Sequence, residues 1–109
     1  MTMRVIPAAE VHATLRFPQF IAALRETFAA RHTMPTRQVM LLDEEAAGND
    51  AFEMLPSWND EVIPLKAFTY FPENVSPHQT LYSQILLFNR RCGEPMALVD
   101  GVSVSCWRM

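Results

Sequence analysis

Glycine is scarce in this sequence, and its scarcity limits what the chain can bind. Three glycines occur among 109 residues, at Gly48, Gly93 and Gly101. A dinucleotide-binding turn of the G-x-G-x-x-G kind needs glycines at fixed short spacings, so that the backbone can approach a pyrophosphate. Three isolated glycines cannot supply that spacing. We therefore expect this chain to bind no NAD or NADP cofactor by itself.

Long apolar runs and clusters of positive charge are also lacking. No stretch approaches the roughly 20 apolar residues that cross a bilayer, and the first residues lack the apolar segment of a signal peptide. The cations are scattered and the formal net charge is −3, so no basic stripe marks a nucleic-acid surface. We expect a cytoplasmic protein with neither a membrane nor a nucleic acid as its partner.

Cysteine and metal-ligand patterns are sparse as well. The two cysteines, Cys92 and Cys106, form no C-x-x-C pair and have no metal spacing. Burial of both thiols as small hydrophobic side chains is favoured over a disulfide. The sequence thus predicts no metal site, and it identifies no catalytic residue.

What is present is the composition of one folded domain spanning residues 1–109, with 50% hydrophobic and 19% charged residues. Two helices come first. Pro7 can occupy the first helical position of one of them. Apolar residues at three- and four-residue spacing after Pro18 predict the second, which Pro35 ends.

From residue 37 onward the pattern becomes that of strands, with short turn-like connections. The predicted strands are residues 38–42, 51–57, 61–71, 80–88 and 96–99, with 102–107 as a sixth. Helices followed by consecutive strands indicate an α+β fold. We expect two N-terminal helices packed on a mainly antiparallel sheet of about five to six strands.

One lysine, Lys66, stands among eight arginines. Period-2 alternation places it on the same face as Phe68 and Tyr70. Two interpretations are open. Lys66 is either a solvent-facing residue whose stem packs on its neighbours, which spacing alone favours, or a partly buried cation held for an anionic ligand.

Further polar residues could complete a site for a small carboxylate. Arg37 precedes the first strand of this series and Arg108 lies near the end of the chain; guanidinium groups grip carboxylates well. Taken singly, each arginine is more often a plain surface residue. Thr80 could add a hydroxyl, and Glu53 is either an edge carboxylate or the partner of a cation.

Four segments, in this order and spacing, carry a resemblance to a known family. They are Pro-Thr-Arg at 35–37, Phe-Glu-Met-Leu-Pro at 52–56, Leu-Lys-Ala-Phe-Thr-Tyr-Phe-Pro-Glu-Asn at 65–74, and Gly-Glu-Pro-Met-Ala-Leu-Val-Asp-Gly at 93–101. The chain resembles the N-terminal part of the ornithine cyclodeaminase and mu-crystallin family over nearly all of its 109 residues.

This resemblance implies a two-domain protein, usually a homodimer, whose first part supplies the substrate pocket and the dimer sheet. A following Rossmann domain binds NAD or NADP. Members deaminate and cyclise ornithine, reduce cyclic imines, or interconvert amino and keto acids. By position, Arg37, Lys66 and Arg108 resemble the cations around the substrate carboxylate, Thr80 a nearby hydroxyl, and Glu53 a pocket carboxylate.

The sequence departs from the family pattern in three ways. It has Pro64-Leu65 where the family tends to have a glycine before the lysine, and it stops at Met109 where the family continues into the Rossmann domain. The glycine-rich fingerprint and the catalytic aspartate that the family has further on are absent. We therefore expect a truncated relative, inactive alone, that keeps the part binding a small amino or keto acid. The alternative is a non-enzymatic small-acid-binding or oligomerisation module.

Overall fold

Three helices and six strands make up the described part of the chain. The computed structural model describes residues 3–29, 33–42 and 49–108, with side chains described for 3–16, 18–26, 33–42 and 49–105. In chain order the elements are β1 (Arg4–Ile6), α1 (Ala8–Thr14), α2 (Phe17–Ala29), β2 (Gln38–Leu41), β3 (Ala51–Pro56), β4 (Val62–Tyr70), β5 (Leu81–Asn89), β6 (Pro95–Asp100) and α3 (Gly101–Arg108).

The six strands form one sheet in the order β1-β6-β5-β4-β3-β2. Consecutive strands from β2 to β6 pair antiparallel, and β1 joins the far edge parallel to β6. The predicted α+β class with a mainly antiparallel sheet is therefore confirmed. Both N-terminal helices and the five strands from β2 to β6 were predicted; β1 was not, because three residues are too few to show a period.

The sixth predicted strand, residues 102–107, is wrong, because this segment is helix α3. Asp100 is the residue that favours a helix over a strand in this segment. The Ser103 backbone N–H donates to Asp100 Oδ2 at 2.9 Å, and Ser103 Oγ donates to the Asp100 carbonyl at 3.1 Å. A side-chain oxygen that satisfies the free amides of a first turn is a helix N-cap. The Val-Ser-Val-Ser alternation is typical of a strand, but the helix N-cap at Asp100 stabilises the helical conformation more.

Helix α3 begins in close contact with strand β5, and Gly101 makes that contact possible. A Cβ added at Gly101 would collide with Ser83 Oγ and would stand 2.9 Å from Ser83 Cβ and 3.1 Å from its carbonyl carbon. Ser83 is itself buried, with 4% of its surface exposed. A residue without a side chain is needed where two backbones come this close.

The two faces of the sheet differ in what covers them. Directly opposed residues on paired strands share a face, so Leu55, Lys66, Ile85 and Val99, which lie in register, point to one side. Helix α3 packs against β5, and α1 packs against α3 and β6. We call this side the helix face.

We call the opposite side the apolar face. Most of its side chains are apolar and come from five strands, namely Met40, Phe52, Met54, Leu65, Ala67, Tyr82, Leu86 and Leu98, and Gln38, Thr69 and Gln84 lie among them. Tyr82 and Met40 are 47% and 37% exposed. The packing of the described chain leaves this face of the sheet in contact with water.

The core formed by the described side chains is small. Among them the buried hydrophobic residues are Val11, Ala51 and Ala97, and no large side chain is fully buried. The radius of gyration is 15.6 Å, whereas a compact domain of this length has about 13 Å. The fold therefore presents an extended sheet with one face available for further contacts.

The expected burial of the cysteines is wrong for Cys92. Its thiol is free and exposed, in the turn between β5 and β6. Gly93 takes a φ of +82° in this turn, and such a tight reversal directs its side chains to solvent. The side chain of Cys106 lies outside the described residues.

Candidate functional site

A cavity of about 590 Å³ opens on the helix face. Small-molecule sites usually measure about 300–1,000 Å³. Its lining comes from the segment before β2, from β3 and the residue after it, and from β4 and β5. The lining residues are Met34, Pro35, Arg37, Leu55, Pro56, Ser57, Pro64, Lys66, Phe68 and Ile85.

Lys66 lies in the wall of this cavity, on central strand β4. Its cross-strand neighbours are Leu55 on β3 and Ile85 on β5. The side chain is half-buried, and its Nζ donates to Ser105 Oγ at 3.0 Å. The ammonium also stands 5.7 Å from the centre of the Phe68 ring, within cation–π range. This placement favours the interpretation of Lys66 as a partly buried cation on the helix face.

Arg37 brings a second positive charge to the same cavity, and Glu53 is paired with it. Arg37 Nη1 stands 3.5 Å from Glu53 Oε1. The arginine side chain is 60% exposed and the glutamate side chain 16%. Such a pair contributes little to stability because water screens it. Its effect is to orient the guanidinium, which matches Glu53 as the partner of a cation.

The cavity combines two cations with apolar walls. Among the described residues that line it, Ser57 is the one polar side chain besides Arg37 and Lys66. The walls of Leu55, Phe68 and Ile85 would contact a hydrocarbon body. The described lining can therefore hold and orient a small carboxylate with an apolar body, and it includes no histidine or carboxylate for proton transfer.

Thr80 lies apart from the other candidate residues of the cavity, Arg37 and Lys66. It precedes β5, and its carbonyl accepts the Phe71 N–H at 2.7 Å. Lys66 is in register with Ile85, and the five residues from Thr80 to Ile85 span about 17 Å of strand. The structure thus places Thr80 away from the cavity lining, and its role stays a prediction.

Arg108 is the last residue of α3, and its side chain lies outside the described residues. Its predicted contact with a carboxylate stays a prediction.

Ser105 is the residue of this site that sequence reasoning missed. The segment around it was assigned to a strand, so its approach to Lys66 could not be foreseen. A signal was nevertheless present. Asp100 followed by Ser103 three residues later is typical of a helix N-terminus, and a helix starting there places Ser105 over the sheet.

The turn from β6 into α3 does not have the features of a pyrophosphate-binding turn. The turn from β6 into α3 contains Gly101, but the Asp100 carboxylate already caps the helix amides there, and a negative charge at that position opposes a pyrophosphate. Ser83 fills the space beside Gly101. The described residues also contain no group of three or more His, Cys, Asp or Glu that could hold a metal ion, and no helix among them is long and apolar enough to span a bilayer.

Comparison with known proteins identifies relatives that are much longer. No protein-family model matches the chain. It is 50% identical over 109 residues to the Delta(1)-pyrroline-2-carboxylate reductase of Colwellia psychrerythraea, a match that covers 97% of this chain and 34% of that protein. The chain therefore spans about a third of the length of the curated relative it matches.

Solved structures show the same fold. The Thermococcus litoralis Delta(1)-pyrroline-2-carboxylate reductase, solved with NADH and L-proline, matches with a TM-score of 0.81 and 19% identity over 97% of this chain and 34% of that chain. A lysine cyclodeaminase whose recognition of L-lysine, L-ornithine and L-2,4-diamino butyric acid was described matches with a TM-score of 0.79 and 25% identity, over 99% of this chain and 35% of that chain.

Proposed function

We propose a function for this chain as a relative of the ornithine cyclodeaminase family. Its curated and structural matches confirm that resemblance over about a third of their length. In this proposal the chain binds the carboxylate of a small amino or keto acid in the cavity on the helix face. The observation that carries the proposal is that Arg37 and Lys66 line one cavity.

The two cations suit a carboxylate for different reasons. A guanidinium presents a planar fork that matches two carboxylate oxygens, whereas an ammonium acts as a compact point charge. A carboxylate entering the cavity would compete with Glu53 for Arg37, which directly precedes β2. It would also contact Lys66 on β4, two strands away from β2 in the sheet. The apolar wall of Leu55 and Ile85 would then contact the aliphatic or cyclic part of the ligand.

The names of the relatives indicate the class of acid. One is a reductase of a cyclic imino acid, another was solved with L-proline, and a third recognises L-lysine and L-ornithine. All of these compounds carry a carboxylate on the carbon next to nitrogen. We propose that the chain holds such an acid, with Arg108 as a further candidate contact.

The Thermococcus litoralis reductase was solved with NADH, and the resemblance to the family implies NAD or NADP for full-length relatives. A nicotinamide supplies or accepts hydride at the substrate carbon when it is bound. The described residues of this chain fit the substrate side of that reaction, and the lack of a dinucleotide site in the chain stays a prediction. Its own part is to hold the acid in one orientation.

Acid binding can be tested by calorimetry with matched ligands. L-proline, L-ornithine and pyruvate each carry the carboxylate, and L-prolinamide has the proline ring and amine with a neutral amide instead. We expect at least one of the acids to bind with a dissociation constant below about 1 mM, roughly 4 kcal/mol, and L-prolinamide to show no saturable binding. Binding by none of the three acids, or equal binding of L-proline and L-prolinamide, would contradict the proposal.

We also propose that the protein is a homodimer assembled through the apolar face. The exposed Tyr82 and Met40 and the small described core support this, because covering such a face removes apolar surface from water. The same observation favours the second candidate function, an oligomerisation module that binds no acid. The calorimetric result separates the two functions, since both predict assembly and one predicts acid binding.

A further inference from the structure

Met34 lies at the mouth of the cavity on the helix face. It belongs to the cavity lining, and 70% of its surface is exposed to water. A side chain that does both lies where the cavity opens to solvent. Arg37 lines the same cavity three positions further along the chain, and three residues span at most about 11 Å. Met34 is therefore close enough to contact the body of an acid whose carboxylate is bound by Arg37.

The backbone of Met34 is held on both sides. Thr33 and Trp58 form an antiparallel bridge. The Thr33 N–H donates to the Trp58 carbonyl at 2.8 Å, and the Trp58 N–H donates to the Thr33 carbonyl at 3.0 Å. Pro35 follows Met34, and the residue before a proline is restricted to extended conformations. The main chain of Met34 thus has a defined position, and freedom to move is left to its side chain.

The turn between β3 and β4, to which this bridge attaches, is itself closed by hydrogen bonds. Asn59 Oδ1 accepts the backbone N–H groups of Glu61 and Val62, both at 2.8 Å, and an asparagine side chain bonded in this way stabilises a turn. Trp58 directly precedes Asn59. The position of Met34 relative to the sheet therefore follows from backbone pairing and does not depend on the packing of its own side chain.

The side chain of Met34 suits an apolar surface of variable shape. Methionine is unbranched, with three rotatable bonds and a polarisable sulfur, so it adapts to irregular neighbours. The walls at Leu55 and Ile85 come from the sheet and would contact the inner side of a ligand. The side nearest the mouth would face water. A methionine at the mouth can cover that side and remove its apolar surface from water.

We propose that Met34 is a specificity-determining residue, whose side chain folds over the hydrocarbon body of the bound acid. The cations bind the carboxylate, which all candidate acids share, and Met34 selects among these acids by the size of the body. A five-membered ring reaches the side chain, whereas the two-carbon body of pyruvate does not. This inference rests on the proposed carboxylate site, and it adds a contact to the part of the ligand that the cations do not bind.

Methionine labelled with ¹³C at the ε-methyl group provides a direct test. The chain has seven methionines, and the signal of Met34 is the one that disappears in Met34→Ala. Met34→Leu keeps an apolar side chain of similar size. Met3→Ala is the matched control, because Met3 is also exposed and is not among the residues that line the cavity. The ligands are cyclopentanecarboxylate, which has a proline-sized ring, and pyruvate.

We expect cyclopentanecarboxylate at saturation to shift the Met34 methyl signal and to give a nuclear Overhauser effect between that methyl group and the ring protons. In calorimetric titrations Met34→Ala should bind this acid about tenfold more weakly, equal to about 1.4 kcal/mol, because the ring then faces water. Met34→Leu and Met3→Ala should stay within about threefold of the unmodified chain. The affinity for pyruvate should fall less than about threefold in Met34→Ala.

Three results would overturn the inference without contradicting the carboxylate site. One is a Met34 methyl signal that does not change although cyclopentanecarboxylate binds. Another is a Met34→Ala variant that binds this acid as the unmodified chain or Met3→Ala does. The third is an equal loss of affinity for both acids in Met34→Ala, which would mean that Met34 supports the cavity as a whole. Failure of both acids to bind the unmodified chain would refute the proposed function, and this inference with it.

Discussion

Replacing Leu86 by arginine should dissociate the proposed homodimer into monomers. Leu86 lies on β5 at the middle of the apolar face, opposite Leu65 on one side and Leu98 on the other. In a two-fold symmetric dimer the substitution occurs twice, so two charges enter one apolar contact. Burying unpaired charge is costly, and we expect the dimer dissociation constant to rise at least about 100-fold, or 2.7 kcal/mol.

Sedimentation velocity at tens of micromolar measures this effect. Val75→Arg is the control, because Val75 is 76% exposed in the connection between β4 and β5 and the same charge enters water there. An unmodified chain that sediments as a monomer would contradict the dimer. A Leu86→Arg variant that remains dimeric would mean that the contact lies elsewhere on the molecule.

Replacing Lys66 by methionine should weaken acid binding by about tenfold or more. Methionine keeps most of the stem that lies between Leu55 and Ile85 and removes the ammonium, with its charge and its hydrogen bond to Ser105. A hydrogen bond to a charged group is worth about 1.5–3 kcal/mol, and the lower limit corresponds to roughly tenfold in affinity. The measurement is calorimetry with whichever acid binds the unmodified chain most tightly.

Arg90→Met is the control for this change. Arg90 is exposed in the turn after β5 and is not among the cavity residues, so it removes one positive charge from the molecule without altering the cavity. Equal losses from the two variants would mean that the overall charge, and not Lys66, attracts the acid. Unchanged binding by Lys66→Met would place the acid elsewhere.

The strands of the sheet could be predicted because their pattern is local. Alternation and turn residues are written in neighbouring positions, and β4 and β5 extend close to the predicted limits. The segment after Asp100 shows where this reasoning fails. Its alternation favours a strand, but a single cap and the seating of Gly101 on Ser83 make it a helix. The second of these is a contact between distant parts of the chain.

The candidate site could likewise be predicted only in part. Period-2 alternation placed Lys66 and Phe68 on one face, and the structure agrees. That Arg37 reaches the same cavity, and that Glu53 pairs with it, depends on strand register, which local pattern does not specify. The bond from Lys66 to Ser105 depends on the direction of α3 over the sheet. These are tertiary contacts, and a single sequence carries only weak signals of them.

The most direct test of the carboxylate site is the rate at which an amine-reactive reagent acylates Lys66. Mass spectrometry reports two amines, Lys66 and the α-amino group of Met1, and the second serves as the internal reference. Cyclopentanecarboxylate carries the carboxylate on a proline-sized ring without a reactive amine, and cyclopentanecarboxamide is its neutral analogue. We expect the acid at saturation to slow acylation of Lys66 at least about fivefold relative to Met1, and the amide to leave the ratio unchanged. Acylation of Lys66 that neither this acid nor pyruvate slows would contradict the assignment of the cavity as a carboxylate site.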